Sequence, residues 1–313
     1  SNIQWAEVGD ISLTATLASA SYLGSGLTAN GSAAAGAFKP AYFDTVVTPG
    51  TGTFTYSGQP FTVQVTAKNA SGGTTLNYKG AYARIVTLSD GNGGTNNSAT
   101  LGTFSNASIA AASFNNGVAT TNTVSYRFNT RTTAPLEAPT SAPLKLRALD
   151  TDSVTSSGHT EGTTPLRAGR LRLVNFYGSD LLRPRVEYRA EYWDGGRWAT
   201  NALDSSNPIV AGNIATGGLT VNGLTALNNG IGFITFNTAA AGSYDIALDL
   251  NAAGVDTSCN AAHGGAAANK SWLQGYWSAP ANCGGVAAWA QDPNARIRLG
   301  ASRAPYIYLR ERY

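Results

Sequence analysis

Alternation of apolar and polar residues with a period of two, interrupted by turn-forming clusters, is the feature that most restricts how this chain can fold. The segment PFTVQVTA (residues 60–67) places three apolar side chains on one face and polar ones on the other. The segments ISLTATLAS, NTVSYRF and PLKLRALD repeat the pattern, and clusters such as NASGGTT and SDGNGGTNNS separate such segments. Successive side chains of a β-strand point to opposite faces, whereas helical spacing is almost absent here. We therefore predict an all-β protein.

The composition argues against several classes of protein. With 42% hydrophobic and 12% charged residues, the chain is too apolar and too weakly charged for intrinsic disorder. No apolar run approaches the ~18 residues that a membrane span requires. The net charge is only +3, which does not favour a nucleic-acid binder, although the basic residues of positions 167–313 are almost all Arg. Because there is no Met and no signal-peptide pattern, we expect a mature or trimmed fragment of a longer precursor.

The chain is long enough for two domains, each with its own core. The stretch at residues 156–168, rich in Gly, Ser, Thr and Pro, breaks the strand pattern. We predict two tandem Ig-like β-sandwich domains, at residues 38–158 and 159–313, after an N-terminal strand and loop at residues 1–37. The first strand has no obvious hairpin partner in the sequence. It is therefore a possible donor strand for the open sheet edge of a neighbouring molecule.

Two hairpins are predicted in the second half of the chain. The segment EYWDGGRW (191–198) contains a tight-turn signal that would bring Trp193 close to Trp198 or Arg197 across the strands. The segments ARIRLG (295–300) and YIYLRERY (306–313) flank ASRAP, which predicts a final strand that runs to the terminus.

The two cysteines, Cys259 and Cys283, lie in a Gly-, Ala- and Asn-rich stretch. In an exported protein they predict one disulfide that closes a long loop and stabilises the fold by roughly 3 kcal/mol. The alternative is a pair of buried free thiols in a cytosolic protein. A metal site would require more ligands than these two residues and the neighbouring His263 provide.

Aromatic residues are the richest candidate feature for binding. Five of the six tryptophans fall in the second half of the chain. Four of them are the possible binding aromatics: Trp193, Trp198, Trp272 and Trp277. If several are exposed together, they form a platform for a carbohydrate or a protein; otherwise they belong to the core.

No catalytic residue is predicted. The only histidines, His159 and His263, lie in loop-like segments, and no nucleophile-elbow motif is present. The carboxylate pair Glu187 and Glu191 is separated by four positions, which places its members ~13 Å apart along a strand. This exceeds the ~5–9.5 Å separation of glycosidase carboxylates. The pair Asp245 and Asp249 has the same spacing.

Metal and cofactor sites are likewise not predicted. Residues 90–94, DGNGG, resemble the start of a calcium-binding loop, but Leu101 stands where a bidentate acid is required. Residues 149–152, LDTD, place two acids near a strand end. In both places a turn without a metal is the preferred interpretation.

Several segments together resemble one family: WAEVGDISLTATLASASYLGSG, FTYSGQPFTVQVTAKNASGGTTLNYKG, AGRLRLVNFYGSDLLRPRVEYRAEYWDGGRWATN and DPNARIRLGASRAPYIYLRERY. The chain is similar to the large C-terminal domain of MshQ-like proteins, which accompany MSHA-type (type IV) pilus assembly in Gram-negative bacteria. The resemblance implies a secreted or surface protein with an adhesive or accessory role, and it supplies no catalytic residues.

The sequence therefore favours a pilus-associated adhesin or surface structural component, located at the cell surface after export across the outer membrane, that acts by binding. Its expected partners are pilus or surface proteins, further copies of itself, or glycans. One alternative is the subunit of a fibre that polymerises through the N-terminal strand. Another is an enzyme that acts on polysaccharide.

Overall fold

The computed structural model describes residues 5–17, 24–26, 30–92, 102–128, 142–206, 208–251, 258, 264–275, 277 and 290–300. Within these residues the regular elements are strands and four one-turn 3-10 helices. No helix in this part of the chain is long and apolar enough to cross a membrane. The chain is all-β and contains two consecutive β-sandwich domains, as predicted.

The chain divides into two compact units. Unit 1 comprises the described parts of Ser1–Thr55, Pro60–Arg127 and Thr140–Leu166. Unit 2 comprises the described parts of Tyr56–Gln59, Phe128–Pro139 and Arg167–Tyr313. The main change of unit thus falls at residues 166–167, whereas the sequence pattern predicts a boundary at residues 158–159.

The first eleven strands are β1 (Gly9–Thr16), β2 (Asn30–Phe38), β3 (Tyr42–Thr48), β4 (Thr55–Tyr56), β5 (Pro60–Lys68), β6 (Val86–Asp90), β7 (Gly102–Ser105), β8 (Ser108–Ile109), β9 (Val118–Phe128), β10 (Leu144–Asp150) and β11 (Thr163–Thr164). Unit 1 has two four-stranded sheets, with strand orders β3-β5-β9-β7 and β11-β10-β6-β8. Three of the four alternating segments of the sequence become β5, β9 and β10, and their apolar faces are buried. The fourth, ISLTATLAS, becomes β1, whose side chains are mostly exposed. Burial of one face is what the period of two predicts for a sandwich strand.

Three aromatic rings form part of the unit 1 core. Tyr78 lies 5.6 Å from Phe43 and 4.9 Å from Phe114 between ring centroids, in edge-to-face contacts. The Tyr78 hydroxyl donates a hydrogen bond to Asp150 Oδ2 at 3.0 Å. Burial, together with the Asp150 charge, raises the pKa of Tyr78 well above its usual value. The phenol therefore stays a hydrogen-bond donor at all ordinary pH values.

Glu161 explains why residues 159–166 lie with unit 1. Its carboxylate binds Arg147 Nε at 2.8 Å and Lys145 Nζ at 3.2 Å, both on β10. Ser156 Oγ donates a further hydrogen bond at 2.8 Å. The Glu161 side chain is fully buried. A buried carboxylate requires such partners, and this one finds them on the unit 1 sheet.

The first strand has a hairpin partner, so the prediction that it lacks one is wrong. β1 pairs antiparallel with β2, in a register that runs from Gly9 opposite Phe38 to Thr16 opposite Asn30. Most side chains of both strands are exposed. The sequence NGSAAAGAF of β2 contains no β-branched residue and no alternation, so it gives no strand signal, and residues up to 37 are predicted as a loop.

The base of this hairpin is attached to unit 1. The Glu7 carboxylate accepts hydrogen bonds from the backbone nitrogens of Leu76 at 3.2 Å and Asn77 at 3.1 Å. Asn69 Nδ2 donates to the Ala6 carbonyl at 3.0 Å, and Val8 is buried. The hairpin is therefore anchored at its base while its two strands remain exposed.

The remaining strands are β12 (Leu166–Arg167), β13 (Gly169–Leu173), β14 (Phe176–Gly178), β15 (Arg185–Trp193), β16 (Trp198–Thr200), β17 (Ile214–Ala215), β18 (Val221–Leu224), β19 (Ile231–Phe236), β20 (Gly242–Leu248) and β21 (Asn294–Leu299). β12 pairs with β4. One unit 2 sheet has the order β13-β15-β19-β18, with β16 paired to β15. The other has the order β14-β21-β20-β17. The β14–β21 pair is parallel, and the other unit 2 pairs are antiparallel.

The strand predicted from ARIRLG is present as β21. β20 pairs with one edge of β21 over the whole strand, and β14 pairs with the other edge over residues 297–299. The predicted terminal partner, residues 305–313, lies outside the described residues.

Candidate ligand-binding groove

Two strands of unit 2 present arginines at alternate positions. On β13, Leu171 and Leu173 are buried, so Arg170 and Arg172 lie on the opposite face. On β21 the buried residues are Ala295, Ile297 and Leu299, and the outward residues are Asn294, Arg296 and Arg298. The period-two rule that builds the core thus also gathers the guanidinium groups on the outer surface.

These outward residues line two adjoining open cavities. The chain passes from one unit 2 sheet to the other between β13 and β14, at residues 174–175. The first cavity, of about 410 Å³, is lined by Arg170, Arg172, Leu173, Asn175, Trp277 and Asn294. The second, of about 340 Å³, is lined by Asn175, Tyr177, Asp245, Asn294, Ala295, Arg296 and Arg298. The two share Asn175 and Asn294, and we call the combined surface the Arg groove.

Arg170 organises the first cavity. Its Nη2 lies 2.7 Å from Glu191 Oε2, and Glu191 stands directly opposite it on β15. The guanidinium carbon lies 4.1 Å from the ring centroid of Trp198 and 4.3 Å from that of Trp277. Burial lowers the pKa of Arg170 from its usual value, and the Glu191 charge opposes this shift. The cation and both rings fix one another by cation–π contact.

The other three arginines of the groove are more exposed. Arg172 Nη1 lies 3.4 Å from Glu191 Oε1, with about half of its side chain exposed. Arg296 binds both Asp245 oxygens, at 2.7 and 3.1 Å. Arg298 is exposed, and its guanidinium makes no hydrogen bond or ion pair with another described residue. Among the described residues, two carboxylates pair with three of the four guanidinium groups of the groove, so these groups together carry a net positive charge.

Two nitrogen donors in the wall of the groove are unpaired. Trp277 Nε1 and Asn294 Nδ2 are closed off from solvent and have no hydrogen-bond partner among the described residues. An unpaired buried donor costs roughly 1–3 kcal/mol. Both atoms are donors, so an acceptor is the group that would satisfy them.

An exposed aromatic ring completes the groove. Tyr177, on β14, is 68% exposed, although it is a large aromatic residue. Asn175 is also exposed, and its Oδ1 accepts a hydrogen bond from the Arg296 backbone nitrogen at 2.9 Å. The groove therefore offers a ring face, amides and guanidinium groups, a combination that suits a polar ligand with acceptor groups.

The sequence matches two consecutive domains described as DUF6701, third domain, over residues 7–167, and DUF6701, fourth domain, over residues 167–312. The chain belongs to the DUF6701 family. The junction of the two family domains coincides with the change of unit at residues 166–167. No curated protein matches the sequence at a significant level.

Two solved structures show remote similarity to this DUF6701 chain. One is FdeC, described as a novel broadly conserved Escherichia coli adhesin eliciting protection against urinary tract infections. It shares 12% sequence identity, with 93% of this chain and 74% of the FdeC chain covered and a TM-score of 0.31. The other is invasin, described as a bacterial integrin-binding protein, with 15% identity, 66% and 36% covered, and a TM-score of 0.20. TM-scores of this size do not establish a shared fold.

Three of the four predicted tryptophans lie in one cluster of the DUF6701 chain. Trp193 and Trp198 are register partners on β15 and β16, with an edge-to-face contact of 5.7 Å between ring centroids. Arg170 then joins Trp198 to Trp277. All three rings are half-buried, so the cluster is neither fully core nor an open platform. Trp272 lies in the 3-10 helix Ser271–Leu273 and does not line the groove.

The predicted turn between Trp193 and Trp198 is present. Asp194 Oδ1 accepts hydrogen bonds from the backbone nitrogens of Gly196 at 2.9 Å and Arg197 at 2.8 Å. Gly195 has a φ of 105°, which a residue with a side chain rarely adopts.

The carboxylates considered for catalysis are engaged in the structure. Glu191 is buried against Arg170 and Arg172, and Glu187 pairs with Arg189. Asp245 binds Arg296. Asp249 is 9% exposed, and its Oδ1 accepts a hydrogen bond from the Asn251 backbone nitrogen at 3.2 Å.

The acids considered for metal binding form turns. Asp90 Oδ1 accepts a hydrogen bond from the Asn92 backbone nitrogen at 2.9 Å, and burial raises the pKa of the Asp90 carboxyl. Asp150 Oδ1 accepts hydrogen bonds from the backbone nitrogens of Asp152 and Val154. Among the described residues, no cluster of three or more His, Cys, Asp or Glu side chains fits a metal ion.

The remaining candidates are the two histidines and the two cysteines, and only His159 lies within the described residues. His159 stacks on Tyr42 at 3.6 Å between ring centroids. Cys259, Cys283 and His263 lie outside the described residues, so the disulfide stays a prediction.

Sequence reasoning missed the arginines of the groove. The signal that could have revealed them is the spacing of RLRL on β13 and RIRL on β21, in which Arg occupies every second position. Their convergence depends on β13 and β21 belonging to different sheets that adjoin at residues 174–175, and no local pattern contains that information.

Proposed function

We propose that this chain is the binding region of an extracellular, pilus-associated adhesin or surface structural component, which acts by binding a surface glycan and not by catalysis. The observation that carries the proposal is the Arg groove, an open surface lined by Arg172, Arg298, Asn175 and the exposed ring of Tyr177. Polar hydrogen-bonding groups beside an exposed aromatic face are the usual elements of a carbohydrate site.

The pilus association rests on the resemblance to MshQ-like proteins, with which membership of the DUF6701 family is consistent. Tandem β-sandwiches suit this role, because small stiff domains hold a binding site away from the cell surface. The same reasoning supports a surface location after export, with pilus proteins and glycans as partners.

The ion pairs support binding over catalysis. A general acid or base must exchange a proton with a substrate. Glu191 is held by two guanidinium groups, and its side chain is only 4% exposed. Glu187 and Asp245 each bind an arginine. These contacts keep the three carboxylates occupied by arginines.

A glycan array probed with the full chain tests the proposal. We expect binding to a restricted set of surface glycans, and loss of this binding in Trp277→Phe, which removes the indole at the groove wall. The matched control is Trp272→Phe, which makes the same change outside the groove and should retain binding. Absence of binding to any glycan or to bacterial or host cells would refute the proposed function.

A second candidate function is self-assembly through the β1–β2 hairpin. Its two strands pair only with each other among the described residues, so both outer backbone edges are open. Leu13 and Phe38 are large apolar residues that are 44% and 37% exposed on it. An open edge of this kind adds readily to another sheet. A hairpin that docks on the next copy of the chain would produce a head-to-tail fibre.

A further inference from the structure

We propose that the ligand of the Arg groove is an acidic polysaccharide, whose carboxylate or sulfate groups bind Arg172 and Arg298. This inference rests on the proposed function, because it names the chemical class of glycan that the groove would bind. It follows from three observations on the groove: its charge, its unpaired polar atoms and its shape.

The charge of the groove is only partly balanced from within the protein. Glu191 balances Arg170 closely, at 2.7 Å, and Asp245 balances Arg296. Arg172 lies 3.4 Å from Glu191, farther than Arg170, which binds the same carboxylate at 2.7 Å. The Arg298 guanidinium has no partner among the described residues. The Arg298 guanidinium and the remaining N–H donors of Arg172 are therefore available to a ligand, and planar guanidinium groups bind carboxylate and sulfate by paired hydrogen bonds.

The unpaired polar atoms of the groove wall also favour a ligand with carboxylate or sulfate groups. Trp277 Nε1 and Asn294 Nδ2 are both donors. Neither has an acceptor among the described residues, so a ligand rich in acceptor oxygens suits this wall better than one that brings further donors.

The shape of the groove favours a chain of sugars over a peptide. Two adjoining cavities of about 410 and 340 Å³ suit an extended ligand with a repeating charge. Among the described lining residues, the aliphatic ones are Leu173, which is 5% exposed, and Ala295, which is 3% exposed. These residues form no apolar pocket that could anchor a peptide side chain. The exposed ring of Tyr177 can instead cover the face of a sugar.

The test compares binding of four polymers to the immobilised full chain: polygalacturonate and heparin as acidic polysaccharides, dextran as a neutral one, and double-stranded DNA as a polyanion without sugar acids. We expect binding to the two acidic polysaccharides, weakened by salt, and much weaker binding to dextran and DNA. Arg298→Gln and Arg172→Gln should each weaken polygalacturonate binding about tenfold or more, as for a lost hydrogen bond to a charged group.

Arg183→Gln is the matched control, because Arg183 is an exposed unit 2 arginine outside the groove. It should change the affinity by less than about twofold. Arg298→Lys, which keeps the charge but not the paired donors, should give an intermediate affinity. Unchanged thermal unfolding of the variants establishes that the folded state is compared.

The outcomes separate this inference from the function on which it rests. Equal binding of dextran, or equal effects of Arg298→Gln and Arg183→Gln, would overturn the acidic-ligand inference while a glycan-binding role stands. DNA binding as tight as polygalacturonate binding, with the same sensitivity to Arg298→Gln, would show a general attraction for polyanions and also overturn it. No binding to any glycan or cell would remove the proposed function itself.

Discussion

Arg170 and Glu191 stand directly opposite each other on β13 and β15, and their charged atoms meet at 2.7 Å with 12% and 4% of their side chains exposed. Removal of one charge from a buried pair leaves the other without compensation, which typically costs about 3–5 kcal/mol. We therefore expect Glu191→Gln to lower the free energy of unfolding by about that amount, measured by urea denaturation of the full chain.

Glu187→Gln is the matched control on the same strand. Glu187 is partly exposed and pairs with Arg189, so its loss should cost less than about 1 kcal/mol. Equal destabilisation by the two variants would contradict the structural role assigned to Glu191. Hydrolysis of a polysaccharide by the wild-type chain, abolished by either variant, would instead support the enzyme alternative.

Gly232 on β19 allows the ring of its cross-strand partner Tyr188 to lie directly over the backbone. A Cβ atom at Gly232 would lie 2.6 Å from the Tyr188 hydroxyl oxygen. The ring has no room to move, because it is fully buried and its hydroxyl donates to the Thr225 carbonyl at 2.6 Å. Gly232→Ala should therefore destabilise the chain by about 1–3 kcal/mol or more in thermal unfolding.

The control for this overpacking is Gly223→Ala on the adjacent strand β18. No heavy atom lies within 4 Å of a Cβ placed there. We expect a change below about 1 kcal/mol in either direction. A neutral Gly232→Ala variant would show that Tyr188 does not occupy the position described.

Glu161 makes the fold sensitive to acid. Burial alone would raise the pKa of its carboxyl, but hydrogen bonds from Arg147, Ser156 and Lys145 together lower it below its usual 4.5. A lowered pKa in the folded state contributes stability that is present above 4.5 and is lost as the pH falls through the folded-state value. The free energy of unfolding should therefore decline below about pH 4.5 in urea titrations at stepped pH.

Substitution of Glu161 should reduce the loss of unfolding free energy at low pH. Glu161→Gln should be less stable than the wild type at pH 7 and show a shallower loss of stability between pH 4.5 and lower pH. Asp152→Asn is the control, because Asp152 and its partner Arg84 are both partly exposed. It should alter stability by less than about 1 kcal/mol. A Glu161→Gln variant with an unchanged pH profile would exclude Glu161 as the acid-sensitive group.

The β1–β2 hairpin allows a clean test of self-assembly. Gly9 and Phe38 are register partners at its base, so residues 10–37 can be replaced by Asn-Gly, which closes a two-residue turn. If the hairpin links copies of the chain, electron microscopy should show fibres of the wild type and none of the shortened chain. The shortened chain should keep its unfolding temperature, because few hairpin side chains are buried. Fibres of equal length in both proteins would eliminate this candidate.

The sequence predicted the strands whose faces differ in polarity. β5, β9 and β10 were identified because their apolar residues recur at every second position and the core buries them. The hairpin at Trp193 and Trp198 was also predicted, because its turn residues are local. β2 was missed, since its small residues carry no alternation, and its strand geometry comes from pairing with β1.

The sequence predicted the tryptophans of the site but not its arginines. Trp277 and Trp198 stood out as unusual residues, but the arginine that joins them is one of twelve in the second half of the chain. Arg170 is distinguished by its position opposite Glu191, and that pairing depends on the β13–β15 register. Long-range register of this kind is set by the whole sheet and not by any single segment.

Binding of an acidic polysaccharide to the Arg groove can be tested by hydrogen–deuterium exchange of the full chain, with and without a polygalacturonate oligosaccharide at saturation. We expect slower exchange on β13, β14 and β21, which carry Arg172, Tyr177 and Arg298, and little change elsewhere. Protection confined to the β1–β2 hairpin or to unit 1 sheets would contradict it, because the ligand would then bind a surface other than the Arg groove.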